Sequence, residues 1–398
     1  MNCWYAADMF ARRTSWNLDA NRLAAALARR RGAGQPLIDL AISNPTECGF
    51  QYDSAAIQAA LSGQEMLRYQ PDPLGLLVAR NAVAGYYATR AVPVSPAQIL
   101  LTTGTSEAYS FVFRLLCDPG DEILIASPSY PLLQFLADIH DVKLVPYRLF
   151  YDHGWRIDFD SLERQITLKT RAIAVVHPNN PSGHFCSPEE MRRLQNLSGI
   201  SNLALLADEV FLDFAHDGAP HRTFAQDSSA LAFTLSGISK ISGLPQMKFA
   251  WLVVSGPENL RMDALSRLEV IADAYLSMSA PAQLAAPALL ATRREFQRQL
   301  LERVCENLSS LDRALASQTS CSRLEVQGGW NVVLRVPAVR SDEDLSVELV
   351  SGPGVHVHPG HFYDFPSDGY LVLSLITPPD TFRAGIEKLL AFFSDDAR

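Results

Sequence analysis

Lys240 stands in Leu235-Ser236-Gly237-Ile238-Ser239-Lys240-Ile241-Ser242-Gly243, a turn of small residues between apolar runs at 231–235 and 249–254. A lysine flanked this way points into the fold, where burial penalises its charged form and lowers its pKa. An unprotonated lysine amine captures an aldehyde as an imine. Read alone, the residue is more simply a surface lysine in a loop. Four other segments carry groups that such chemistry needs. Thr102-Thr103-Gly104-Thr105-Ser106 opens a helical pattern. Free N–H groups at a helix N-terminus suit a phosphate, and Gly104 lets the backbone come close; the same residues also serve as plain N-caps. In Ser127-Pro128-Ser129-Tyr130-Pro131, Tyr130 is either a flat face for an aromatic ligand or a packed ring beside a proline turn. His177-Pro178-Asn179-Asn180-Pro181-Ser182-Gly183 is a stiff loop in which Asn180 can donate to a ring oxygen, or a rigid turn with no ligand. Asp208-Glu209-Val210-Phe211 ends an apolar run with an acid that is costly to bury unpaired. A protonated ring nitrogen would pair it, and so would a structural salt bridge.

The elements around these segments repeat one pattern. Residues 16–33 read as an amphipathic helix whose Arg29-Arg30-Arg31 suits a solvated C-terminal turn, and 37–40 read as a strand. From about residue 98, short apolar runs at 99–101, 122–126, 143–147, 173–176, 203–207 and 231–235 alternate with helical stretches such as 105–116. Such alternation predicts a mostly parallel sheet covered by helices on both faces, with ligands beyond the carboxyl ends of the strands. Helical patterns at 257–280 and 282–311 lead to a smaller mixed region with strands at 330–336, 355–358 and 370–375 and a helix at 381–393. The expected fold is α/β: a large domain at 46–285 with a seven-stranded, mostly parallel sheet, and a small α+β domain at 286–398. Residues 1–45 would form an arm and begin the small domain.

The bulk numbers exclude several classes. The 398 residues, 48% hydrophobic, suffice for two or three domains with a sizeable core. A net charge of −9 argues against nucleic acid and against an anionic membrane surface. The six cysteines form no CxxC pair and no zinc spacing, and read mostly as buried thiols of a reducing compartment. Met1-Asn2-Cys3-Trp4-Tyr5 is not the start of a secretory signal, and no apolar run spans a bilayer. These features fit a cytoplasmic protein without a metal centre.

Taken together, the five strand-end segments suit one ligand. A pyridine aldehyde phosphate needs an amine, a phosphate cradle, a carboxylate for the ring nitrogen, a donor for the ring oxygen and a stacking partner. On these residues the chain resembles the fold-type-I pyridoxal phosphate enzymes, in particular the class I/II aminotransferases, from about residue 37 to 393. Their Asn-Pro-x-Asn-Pro-Thr-Gly loop is matched by His177 to Gly183. Their Asp-Glu-x-Tyr is matched by Asp208-Glu209-Val210-Phe211, and their lysine segment by Ser239-Lys240 with Pro245, Lys248 and Trp251. The resemblance implies that Lys240 binds the cofactor and acts as general base and acid. It implies that Asp208 faces the ring nitrogen, that Asn180 bonds the ring oxygen and that Tyr130 stacks. Gly104, Thr105, Ser106 and Lys248 would cradle the phosphate, joined by Tyr69 from the neighbouring subunit of a homodimer.

The departures from the family pattern concern the substrate most. Phe211 replaces the tyrosine that bonds the ring oxygen, which predicts a protonated, yellow lysine adduct near neutral pH. Lys248 replaces an arginine, and Gly237 a serine for which Ser236 or Ser239 would partly stand in, predicting looser cofactor binding. Val372, in Tyr370-Leu371-Val372-Leu373-Ser374, holds the place of the arginine that clamps the substrate carboxylate. Arg335, His356 or His358 would supply a substitute cation, or the substrate lacks a normally placed carboxylate. His356, His358 and His361 read as a polar rim rather than a metal site. The expected activity is transfer of an amino group from an amino acid-like donor to an oxo acid. A lyase or decarboxylase of the same fold and a non-catalytic regulator are the alternatives.

Overall fold

A computed structural model of the protein describes residues 9–226 and 229–395. Met1 to Tyr5, Cys3 included, lie outside them. The first strand, β1 (Ile38–Asp39), follows a helix at Arg22–Gly32. That helix starts later than its apolar pattern suggests because the Asn21 side chain accepts a hydrogen bond from the Ala24 N–H at 2.7 Å and sets the cap. The main sheet comprises β2 (Ile99–Thr102), β3 (Glu122–Ser127), β4 (Lys143–Tyr151), β5 (Trp155–Ile157), β6 (Thr170–Val176), β7 (Ala204–Asp208), β8 (Ala232–Gly237) and β9 (Ala250–Ser255). Their order is β2-β9-β8-β7-β6-β3-β4-β5. Neighbours from β8 through β4 run parallel, whereas β9 is antiparallel to both β2 and β8. β2 therefore shares the direction of the parallel block. The expected seven strands are present; β5 is an eighth, added where Gly154 turns the chain back on β4.

Strict alternation explains why these runs became central strands. Leu124, Ile173, Leu205 and Ala207 pack on one face with the Pro188–Ser201 helix. Ile123, Ile125, Ala172 and Leu206 pack on the other with the Thr105–Leu116 and Glu258–Ala274 helices. With both faces covered, every position of the run is apolar.

The later strands are β10 (Ser322–Arg323), β11 (Asn331–Arg335), β12 (Val355–His356), β13 (His358–Pro359) and β14 (Tyr370–Ser374). They form an antiparallel sheet β10-β11-β14-β13, while β12 leaves it to pair in parallel with β1. The single strand expected at 355–358 is thus split at Val357, each half serving a different partner. The helices Arg293–Leu315 and Pro379–Asp395 cover this unit through Leu300, Val304, Phe382 and Leu389. Among the described residues, no helix is long and apolar enough to cross a membrane. Cys48, Cys186 and Cys321 are buried free thiols, and Cys305 is exposed.

Candidate active site

Because β2, β8, β7, β6 and β3 share one direction, the residues that follow them gather along one edge of the sheet. There they wall a cavity of about 410 Å³. Thr105, Ser106, Tyr130, Asn180, Asp208, Phe211, Ser239 and Lys240 all line it. Gly104, Lys248 and Tyr69 do not, although the first two lie beside it.

Lys240 sits on the one-turn helix Ile238–Ile241 that ends β8. Its amine lies 4.7 Å from the centre of the Trp330 ring and 5.7 Å from that of Phe211. Burial brings its pKa down to about 8, with the Asp208 carboxylate acting in the opposite direction. Gly237, just before it, occupies a tight crossing. A Cβ there would stand 2.8 Å from the Ala250 Cβ, so the serine that the family pattern places here would force β8 and β9 apart.

Asp208 ends β7. Its Oδ1 accepts from the Val210 N–H and its Oδ2 from the Tyr109 hydroxyl, each at 3.1 Å. Burial still pushes the carboxyl up to about 6. Its neighbour Glu209 takes no part in the cavity. It accepts from Thr223 Oγ1 at 2.5 Å and from the Phe224 N–H at 2.7 Å, closing a turn behind the sheet. Strand alternation has separated two adjacent acids into a site group and a structural one.

Asn180 Oδ1 accepts from Asn331 Nδ2 at 2.8 Å, which fixes the amide and leaves Asn180 Nδ2 for a ligand. The loop carrying it is pinned at Gly183 (φ +69°), where a Cβ would lie 2.4 Å from Val326 Cγ2 and 2.6 Å from the Gly328 carbonyl oxygen. Tyr130 is 45% exposed on the cavity wall. The Thr105–Leu116 helix begins at Gly104, and the Lys248 amine comes within 3.9 Å of where a Gly104 Cβ would be. An ammonium beside a helix N-terminus, with two hydroxyl residues in the first turn, makes an anion cradle. Tyr69 is 78% exposed after the turn Gln64–Leu67.

Val372 is 2% exposed and lies in register with Val333 and His358. Of the substitute cations expected, Arg335 is exposed and lies outside the cavity, its guanidinium 6.0 Å from the rings of Tyr151 and Tyr370. His356 Nδ1 is 3.0 Å from Asp39 Oδ1, and neither residue lines the cavity. His358 does line it, with Nδ1 3.0 Å from the Tyr363 hydroxyl, and burial brings its pKa down to about 4. Among the described residues no cluster of His, Cys, Asp or Glu is arranged to hold a metal.

Tyr109, Trp330, Asn331 and Tyr363 also line the cavity and were not singled out from sequence. Tyr109 follows Thr105 by four residues and so shares its helix face, a signal that was present. The other three depend on how the later strands pack against the main sheet.

This donor set fits pyridoxal phosphate. One amine stands over aromatic faces, one carboxylate is held by two donors, one amide has a free N–H, and an anion cradle lies at one end. Comparison with known proteins agrees. The family model for aminotransferase class I and II matches residues 35–385. An alanine aminotransferase of Mycobacterium tuberculosis is 27% identical over 373 residues, covering 91% of this chain and 86% of the relative. A glutamate-pyruvate aminotransferase of Haemophilus influenzae is 24% identical over 370 residues, covering 91% and 92%. Among solved structures, an alanine aminotransferase from Pyrococcus furiosus superposes with a TM-score of 0.89 at 22% identity, covering 97% of this chain and 100% of that one. The fold, the cavity and the family match agree: the chain belongs to the class I and II aminotransferases, enzymes that work with pyridoxal phosphate.

Proposed function

We propose that this cavity moves an amino group from an amino acid-like donor to an oxo acid, with Lys240 as the residue that holds the cofactor and shuttles the substrate proton. Bound there, pyridoxal phosphate supplies a conjugated ring that accepts the electron pair released when the substrate Cα–H bond breaks. The remaining work belongs to the chain. A lysine with a pKa of about 8 exists in both protonation states near neutrality, so Lys240 can take a proton from the substrate carbon and return it. Asp208, ionised above about pH 6, faces the ring nitrogen and keeps a proton on it, steadied by Tyr109 and Val210. Asn180 donates its amide N–H to the ring oxygen. Tyr130 stacks on the ring, and Phe211 with Trp330 keeps water from the amine. Gly104, Thr105, Ser106, Ser239 and Lys248 hold the phosphate, completed by Tyr69 of a second copy in a cytoplasmic homodimer. The division into 1–45, 46–285 and 286–398 belongs to the same reading.

The observation that carries it is Lys240 and Asp208 meeting in one cavity at the strand ends. Borohydride reduction of the loaded protein followed by peptide mass spectrometry should find the adduct on Lys240. Single donors are then offered in turn, the alanine and glutamate named in the relatives among them, and a donor that the site accepts should convert the spectrum to that of the amine form with one oxo product per site. An adduct on another lysine refutes the assignment. Ammonia released without that spectral change makes the protein a lyase.

A further inference from the structure

Among the described residues of one subunit that wall the cavity, Lys240 is the only lysine or arginine, and its amine is committed to the chemistry above. A carboxylate brought into such a site needs a fixed cation, because burying it unpaired is strongly unfavourable. Arg335 lies outside the cavity, beside Tyr151 and Tyr370, and Lys248 stands at the helix N-terminus beside Gly104. What the wall offers is neutral. His358 lies beside Val372 across the β13–β14 pair, so both side chains emerge on one face of that sheet. Tyr363 engages its Nδ1, which leaves Nε2 for a ligand. Burial and the neighbouring His356 keep the ring uncharged at neutral pH. Leu132, Leu136 and Phe362 make the nearby wall apolar.

We propose that the amino donor carries an uncharged oxygen function, an amide or ester carbonyl or a hydroxyl, where a common amino acid carries its α-carboxylate, that the oxo acid which follows it into the same cavity bears its acid group away from that position, and that His358 Nε2 recognises the neutral oxygen. The proposal rests on the aminotransferase reading of the same site and names the substrate class for it. The net transfer is unchanged: R₂CH–NH₂ and R′₂C=O become R₂C=O and R′₂CH–NH₂, so atoms and electrons balance without another reactant.

The test compares L-leucinamide with L-leucine on the loaded enzyme, by kcat/KM of the donor half-reaction. It also compares dissociation constants of their α-methyl analogues, which lack the Cα–H and bind without transfer. Leucinamide should lead leucine by at least about 10-fold in both readouts, since one mispaired buried charge outweighs one neutral hydrogen bond. His358→Ala should raise KM for leucinamide roughly 3–10-fold, with kcat changing less, and narrow the preference. His358→Gln, whose amide reaches the same region, should recover most of that loss. Val372→Arg, if it folds, should move the preference toward leucine. Leucine, alanine or glutamate outperforming leucinamide overturns the proposal while leaving the aminotransferase reading intact. An equal effect of His358→Ala on both donors also overturns it. If no donor of either class produces the amine-form spectrum, the aminotransferase reading itself fails, and the proposal falls with it.

Discussion

The bond from Tyr109 to Asp208 offers a test of how the site sets its charge. Tyr109→Phe keeps the ring and removes only the hydroxyl that donates to Asp208 Oδ2 at 3.1 Å. With Asp208 ionised, a donor to a charged acceptor is lost, about 1.5–3 kcal/mol; with Asp208 protonated, a neutral bond is lost, about 0.5–1.5 kcal/mol. The difference, on the order of 1 kcal/mol, corresponds to nearly one pKa unit. Asp208 should therefore move from about 6 toward roughly 7 in the variant. The sign follows from linkage. The folded-state value lies above the ordinary 3.8, so the native protein binds this proton more tightly than the unfolded chain. Stability is undiminished below the unfolded value and falls as pH rises through the folded one. The variant continues to lose stability after the wild type has levelled off. Urea unfolding of cofactor-free protein at pH 5 and pH 8 measures this directly, and Glu209, common to both proteins, cancels in the difference. The destabilisation should be larger at pH 8 by about 1 kcal/mol. Equal destabilisation at the two pH values refutes the coupling of Tyr109 to the Asp208 charge.

Asn331→Leu leaves Asn180 Oδ1 without its 2.8 Å donor. It should cost roughly 10-fold in kcat/KM and about 1 kcal/mol in cofactor-free stability, and unchanged values in kinetics and unfolding would remove Asn331 from the site. Lys248→Ala should raise the dissociation constant for pyridoxal phosphate about 10–100-fold while sparing pyridoxal, which has no phosphate; calorimetry that finds both weakened equally would place Lys248 elsewhere. Phe211→Tyr restores a phenol close to Lys240, so the yellow form of the loaded enzyme should titrate away at lower pH than in wild type. An identical absorbance titration would show that residue 211 does not reach the ring oxygen.

The sheet was legible because its strands are buried on both faces and read as short apolar runs; Ile123 to Ala126 serve two cores without a polar interruption. The strand ends were legible for the same reason, since a polar residue after such a run has few places to go. What escaped was the wall built from distant sequence. The Asn180–Asn331 bond joins positions 151 apart, and nothing near either residue announces the other. The histidines show the limit of local periodicity. His356 and His358 would share a face in one straight strand, yet the break at Val357 gives His356 to Asp39 and His358 to the cavity. Arg335 falls on the same face of β11 as Asn331, which lines the cavity, but four residues further along, where it lies beside Tyr151 and Tyr370 instead.

The pairing of β1 with β12 ties together chain segments 317 positions apart, and among the described residues Ile38 and Asp39 have no other strand beside them. At typical synthesis rates of about 5–20 residues per second, roughly 15–60 s pass before Val355 and His356 are made. Throughout that interval the ribosome-bound chain carries an unmatched edge and a bare Leu40. The β1 segment must therefore wait for β12 to be translated before it can dock, and a product stopped before Val355 would leave that early segment without its partner.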